Sequence, residues 1–316
     1  MIKKIGKTIT RAKKKLERVL LKKKLQALIT KTLPIPVATA SEKVICMLCG
    51  HSMVHEGVCT LKSFLRYVNK DFEVMLFDDG TLNRNDINFL NAHLPGIKII
   101  SKAQADATSG AYLKTNGFEN CINVRNEHPL RRKIFDFVIF NQNKQILQLD
   151  SDILFLQKPT ALLEKINEKR GIIYYNIDRG PAFSFKIEDL EEHLGKSLPI
   201  KFNSGLVLYY ADISIFNSIE DFMAKEYVPT NNWTRGQTLF CLGIAKNYEC
   251  LPLPDDYDVS FKIGESNRHV LVAEHYCAWS RTIFYVDFIE KVYPFLKKEN
   301  NVSQYYLDII TRKITP

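Results

Sequence analysis

No apolar run in this 316-residue chain approaches the roughly 20 residues needed to cross a bilayer, because charges interrupt every long hydrophobic stretch. No transmembrane helix is therefore expected. The basic first residues lead into more lysines and never into an uninterrupted apolar core, so no secretory signal is expected either. Cysteine is sparse: the seven residues at 46, 49, 59, 121, 241, 250 and 277 are odd in number and scattered, which suits a reducing cytoplasm better than a disulfide framework. There is no internal repeat, and acid is nearly missing from one place. Residues 1–32 hold twelve Lys and Arg against the single acid Glu17, while the rest of the chain holds 32 basic and 34 acidic residues. The net charge of +9 thus belongs to the N-terminal segment, and the body shows no excess that calls for a polyanion. Nucleic acid is not expected as a partner.

Within the basic segment Ile2, Ile5, Ile9, Ala12, Leu16, Val19 and Leu20 recur at spacings of three and four, an amphipathic helical stripe between lysine-rich faces. Such a helix suits an anionic membrane surface, where each lysine contributes about 1 kcal/mol, and makes residues 1–32 a candidate peripheral anchor on the inner face of the membrane. A solvated helix that merely precedes a domain is the alternative. Leu33-Pro34-Ile35-Pro36 ends the helix and predicts a stiff linker. The expected organisation is a basic helix and linker over 1–40 and one domain over 41–316. With 46% apolar residues, that length can bury a substantial core.

From residue 41 short apolar runs alternate with amphipathic stretches. Strands are predicted at 44–48, 73–77, 97–100, 145–149, 172–175, 202–208 and 269–273, and helices at 57–68, 129–140, 213–224, 234–245 and 283–310. Helix then strand, repeatedly, implies an α/β fold with a largely parallel sheet. The strand at 145–149 ends in Asp150-Ser151-Asp152. Side chains at i and i+2 project to one side of an extended chain, so both acids can reach one divalent cation. Two like charges at the end of an apolar run repel each other and resist burial, so a positive group should sit between them. Ligands of open α/β sheets bind outside the carboxyl ends of strands, where this pair falls.

Leu149-Asp150-Ser151-Asp152-Ile153-Leu154-Phe155, followed by Lys158-Pro159, resembles the DxD segment of the GT-A glycosyltransferases. Other segments resemble theirs in the same order: Asp78-Asp79-Gly80-Thr81-Leu82 after the second strand, Phe202-Asn203-Ser204-Gly205-Leu206 on the acceptor side, and Glu274-His275-Tyr276 at the late metal-site histidine. The resemblance spans roughly residues 43–290. It implies a GT-A (Rossmann-like) mixed, mostly parallel sheet flanked by helices. The implied activity is transfer of a sugar from a nucleoside-diphosphate donor to a hydroxyl of a glycan or lipid-linked acceptor, with Mn²⁺ or Mg²⁺ as the cation. In that resemblance Asp152 coordinates the metal, Asp150 bridges metal and ribose, and His275 completes the sphere, its imidazole favouring Mn²⁺. Lys133 supports the donor phosphates, with Arg131 and Arg132 as competitors, and Arg281 is the remaining phosphate-binding candidate. Asp78 and Asp79 lie near the nucleotide, while Asn203 and Gln237 join Asp152 as catalytic candidates.

Each assignment has a bland counterpart. The aspartates could cap turns, His275 could be a satisfied structural histidine, and Asp78-Asp79-Gly80 could be a simple turn. Cys46 and Cys49 have redox-motif spacing, but their apolar strand favours packing, as for Tyr209 and Tyr210. The chain also departs from the retaining galactosyltransferase-like and glycogenin-like relatives: Gly236 stands where they carry an acid before Gln237, and His275-Tyr276-Cys277-Ala278-Trp279-Ser280-Arg281 lacks their Gly-x-x-Lys. These departures reduce retention of anomeric configuration to a weak preference; an inverting enzyme needs a carboxylate base near the acceptor, and Asp255, Asp256 and Glu274 are the candidates. The rival readings are a GT-A-like binding module that has lost activity and docks by its tail, and a DxD phosphatase in which the first Asp is a nucleophile.

Overall fold

The structure, a computed structural model, describes residues 2–68, 70–166, 168, 170–181, 183–199, 201–225, 227–231, 233–260, 269–277 and 280–297, with residues 2–12 as backbone only. Helix α1 (Ile2–Ile29) leads into β1 (Lys43–Cys49), α2 (Val54–Leu65), β2 (Glu73–Asp78), α3 (Arg84–His93) and β3 (Lys98–Ile100). Three helices follow, α4 (Lys102–Thr115), α5 (Glu119–Glu127) and α6 (Arg132–Phe140), and then β4 (Gln145–Leu149), β5 (Ile153–Phe155), α7 (Thr160–Lys165) and β6 (Ile172–Ile177). The remainder comprises α8 (Ile187–Leu194), β7 (Phe202–Tyr210), α9 (Ser214–Met223), α10 (Arg235–Asn247), β8 (Glu249–Pro252), β9 (Tyr257–Val259), β10 (Ala273–His275) and α11 (Arg281–Asp287).

Seven strands form the main sheet in the order β3-β2-β1-β4-β7-β6-β8. β1 runs parallel to β2 and β4, β2 to β3, and β6 to β8, whereas β7 is antiparallel to both neighbours. Alternate residues feed separate cores on the two faces. Ile45, Met47 and Leu147 join one, and Val44, Cys46 and Ile146 join the other. A strand covered on both sides has no polar face, which is why the 44–48 run reads as continuously apolar. Cys46 and Cys49 are buried in it as free thiols. Strand order reverses between β1 and β4, so the crevice at their carboxyl ends receives the Asp150-Ser151-Asp152 turn.

A second sheet, β5-β10-β9, sets the late histidine. The strand expected at 269–273 instead occupies Ala273–His275, because β10 takes its register from antiparallel pairing with β5: Ala273 lies opposite Phe155 and His275 opposite Ile153. The predicted 129–140 helix splits into a 3₁₀ turn at Pro129–Arg131 and α6. The last helical segment begins at Arg281 and runs to Leu296 through a π-helical turn at Phe288–Val292; residues 298–310 of the expected helix lie outside the described residues. Helices α4 and α5 had no counterpart in the sequence reading, since each buries only three side chains and carries no clear apolar stripe.

The proline linker is laced to the body. Ile35 and Val37 donate backbone hydrogen bonds to the His93 and Pro95 carbonyls at 3.0 and 2.9 Å. X-Pro segments are extended and leave the intervening N–H groups free, so a neighbouring carbonyl row can take them. Lys62, wholly buried, clamps the same junction by donating to Thr32 Oγ1 at 2.7 Å and to the Leu33 carbonyl at 2.7 Å, with His93 Nδ1 at 2.9 Å. Burial pushes its ammonium down to about 8, and burial with the adjacent Lys62 charge lowers His93 to about 4, keeping that ring a neutral acceptor. A second buried polar unit is the bidentate pair between Arg125 and Asp136, at 2.6 and 3.0 Å, which ties α5 to α6.

Candidate active site

The antiparallel step from β5 to β10 brings the histidine to the acids. Tyr276 N–H donates to the Asp152 carbonyl at 2.8 Å, and His275 Nε2 lies 3.1 Å from Asp152 Oδ1 and 3.8 Å from Asp150 Oδ2. One ligand atom from each of Asp150, Asp152 and His275 falls within 4.8 Å of the others, a set able to hold a metal ion. Asp152 and His275 are each about 5% exposed, and Asp150 is more open. Burial opposes the Asp152 charge, but the hydrogen bond and charge of His275, with the Arg281 guanidinium, outweigh it and hold the carboxyl below its usual range. Burial likewise opposes the His275 charge; Cys277 and Asp152 reverse that, raising the ring well above its ordinary value. A cation bound here would replace the Nε2 proton.

The supporting shell fixes which imidazole nitrogen faces the acids. Asn203 Nδ2 donates to Asp178 Oδ2 at 3.0 Å, and Asn203 Oδ1 accepts from the Gly205 N–H at 2.9 Å. That oxygen is therefore the atom 3.0 Å from His275 Nδ1, which must donate to it. Nε2 is left for the acid pair, an arrangement typical of metal-ligating histidines. Asn203 thus lies behind His275 and is itself buried. The register between β6 and β7 breaks here, Tyr175 facing Val207 but Asn176 facing Asn203, and such bulges re-aim side chains beside sites. Gly205 has no room for a side chain, since a Cβ would sit 2.3 Å from His275 Cε1. Within the Asn-Ser-Gly step Gly205 admits the histidine ring, while Ser204 lines the neighbouring cavity.

Two cations occupy the outer sides of the acids. Lys133 Nζ on α6 is 2.5 Å from Asp150 Oδ1, and Arg281 at the start of α11 places Nε and one terminal nitrogen 3.1 Å from Asp152 Oδ2. Each compensates one aspartate, and the group that reaches both is the His275 ring. Of the competitors, Arg131 pairs with Glu127 and lines the same cavity as Lys133, whereas Arg132 pairs with Asp106 at 3.3 Å. A cavity of about 670 Å³ opens beside Asp150 and Lys133, lined also by Gln148, Ser204, Trp233 and Gln237. Gln237 Oε1 accepts the Ser204 N–H at 3.1 Å, and Gln148 Nε2 donates to the Ser204 carbonyl at 2.7 Å.

Asp78 and Asp79 sit at the end of β2, where the turn takes one oxygen of each. Asp78 Oδ1 accepts from the N–H groups of Gly80, Thr81 and Leu82 at 2.8–3.1 Å, and Asp79 Oδ1 accepts from Thr81 N–H and hydroxyl at 3.0 and 2.6 Å. Gly80 adopts a φ of 102°, which the turn requires. Among the candidate bases, Glu274 is fully buried on the face of β10 opposite His275, and Asp255 and Asp256 precede β9 at the end remote from the site. Sequence reading missed Asp178 and Gln148. Gln148 carried a signal, as the one polar residue amid Ile146, Leu147 and Leu149.

No protein-family model and no curated protein matches the sequence. Solved structures resemble it in fold. The bifunctional glycosyltransferase WbbM, in its apo form, aligns with a TM-score of 0.51 at 14% identity over 87% of this chain and 52% of its own, so the chain spans about half of WbbM. The galactosyltransferase LgtC, in complex with donor and acceptor sugar analogues, gives 0.50 at 13% identity over 79% of this chain and 96% of its own. GlyE of Streptococcus pneumoniae TIGR4, a glycosyltransferase, gives 0.50 at 12% over 86% and 64%. The fold is that of the GT-A glycosyltransferases: a mixed, mostly parallel sheet flanked by helices, here preceded by α1.

Proposed function

We propose that the protein is a metal-dependent glycosyltransferase, moving a sugar from a nucleoside-diphosphate donor to a hydroxyl of a glycan or lipid-linked acceptor. The observation that carries this reading is the convergence of Asp150, Asp152 and His275 within 4.8 Å at the carboxyl end of β4, beside a cavity of about 670 Å³. That volume suits a small polar ligand. A divalent cation held by the three side chains supplies stabilisation of charge on the departing nucleoside diphosphate, and an imidazole in the set favours Mn²⁺ over Mg²⁺. Once the carboxylates are committed to a cation, Lys133 and Arg281 are the groups placed to take phosphate oxygens. Asp150 stands at the cavity wall, where a ribose hydroxyl can reach it, and Gln237 faces the same space.

Asn203 enters this scheme as a positioning residue that orients His275. Asp78 and Asp79 contribute by shaping the turn beside the nucleotide. Retention of configuration is a weak preference of this reading: Asp255, Asp256 and Glu274 are not among the residues lining the cavity, whose wall carries the carboxylate of Glu127. Peripheral attachment to an anionic membrane through residues 1–32, on the cytoplasmic side, belongs to the same reading. The test is a panel of sugar nucleotides assayed for Mn²⁺-dependent hydrolysis or transfer, with Asp152→Asn as the control. Turnover of one donor, lost in the variant, is expected; no turnover of any donor, or a variant as active as the parent, overturns the reading.

A further inference from the structure

Helix α1 carries two apolar stripes on opposite sides. Leu25 and Ile29 are fully buried against the body, with Leu21 partly so. Leu16 and Leu20, each nine residues earlier, are 61% and 58% exposed, and Val19 is 44% exposed. Nine residues are two and a half helical turns, so the outer stripe points directly away from the surface that the inner stripe covers. A polar cluster fixes the helix further. Lys22 Nζ contacts Glu56 Oε1 at 2.8 Å and donates to the Ser52 carbonyl at 2.6 Å, and the same Glu56 oxygen accepts from Tyr285 at 3.0 Å. Arg18 also reaches Tyr285.

The geometry points to the outer face of α1 as a docking surface for an anionic lipid bilayer, with α1 acting as a rigid bracket and not as a flexible tether. The inference rests on the peripheral attachment proposed above and specifies which face binds and how the body is held. Charge complementarity names the occupant: Lys13, Lys15, Lys23 and Lys24 flank the exposed leucines, and the segment holds one acid against twelve basic residues. The bracket also sets position. Ser52 follows the carboxyl end of β1, and α11, which packs on α1, begins with the Arg281 that contacts Asp152. A bilayer on the outer stripe therefore lies about one helix diameter, ~10 Å, from the element that leads into the site.

The experiment is flotation of the full chain with phosphatidylcholine vesicles, with and without phosphatidylserine. Binding only to the vesicles that contain phosphatidylserine is expected, weakened about tenfold or more by Leu16→Ser, Val19→Ser and Leu20→Ser together, with unchanged urea unfolding because all three side chains are exposed. Equal flotation of parent and variant overturns the proposal, as does binding to both vesicle types alike. Tighter binding to a DNA duplex than to vesicles, indifferent to the serine changes, overturns it too. Donor turnover measured without vesicles reports on the transferase reading alone, so a failure there is distinguishable from a failure of docking.

Discussion

Replacing Gly205 with alanine displaces His275, the proposed metal ligand, without substituting any of the three proposed ligands. The Gly205 backbone needs no positive φ, so strain does not confound the change. The added Cβ would lie 2.3 Å from His275 Cε1, 2.4 Å from Nδ1 and 3.0 Å from Asn203 Oδ1. Ordinary carbon contacts are about 3.5–4.0 Å, so the ring must retreat by more than an ångström. The backbone has little freedom to give instead, because Gly205 accepts from Asp150 N–H at 2.8 Å and donates to Asn203 at 2.9 Å. Retreat breaks the Asn203 hydrogen bond and carries Nε2 away from Asp150 and Asp152. Overpacking of this kind costs about 1–3 kcal/mol, within the roughly 5–15 kcal/mol that keeps a domain folded. Loss of ligand orientation costs about 10–100-fold in metal affinity. Calorimetric titration with Mn²⁺, alongside urea unfolding, should show Gly205→Ala binding as weakly as His275→Ala while still folding cooperatively. A folded Gly205→Ala protein that binds Mn²⁺ like the parent would refute the assignment of His275 as a ligand.

Asn203→Leu removes the acceptor for His275 Nδ1 and should weaken Mn²⁺ binding by about 10–100-fold in the same titration; unchanged affinity would show that the ring is held by something else. Lys133→Met should leave Mn²⁺ affinity nearly intact but lower kcat/KM for the donor by about 10²–10³, and an equal loss of both would place Lys133 in metal binding instead. Arg125→Met strands the buried Asp136 carboxylate and should cost about 3–5 kcal/mol in urea unfolding, whereas a loss near zero would mean water reaches the pair. Lys62 predicts a pH dependence. Its folded value of about 8 lies below the 10.5 of the free side chain, so between these the unfolded chain binds more protons and stability rises with pH. Relative to Lys62→Met, the parent should gain about 3 kcal/mol from pH 8 to above 10, and a flat difference would show that its three acceptors keep the ammonium at its ordinary value.

Local pattern made much of this protein legible. Apolar runs bounded by turns located β1, β2 and β4 to within a residue and β7 to within two, because a strand covered on both faces leaves a signal in its own residues. The acid pair announced itself by placing two like charges at a strand end, and the lopsided basicity of residues 1–32 was visible from composition. Weakly amphipathic helices such as α4 left no comparable trace.

What joins the site was decided elsewhere. His275 meets Asp152 because β10 pairs with β5 in one register, and a slip of one residue would turn the histidine to the face where Glu274 is buried. Asn203, Asp178 and Gly205 acquired roles behind the histidine through a bulge between β6 and β7, and Asp78 and Asp79 each commit one oxygen to their own turn. The same division runs through α1. Its sequence determined a basic amphipathic helix with an apolar stripe, since helical periodicity is a local property. Only the tertiary structure decided that a second stripe, Leu21, Leu25 and Ile29, binds the body and leaves Leu16, Val19 and Leu20 of the first facing outward, because which face is buried depends on what the rest of the chain brings against it.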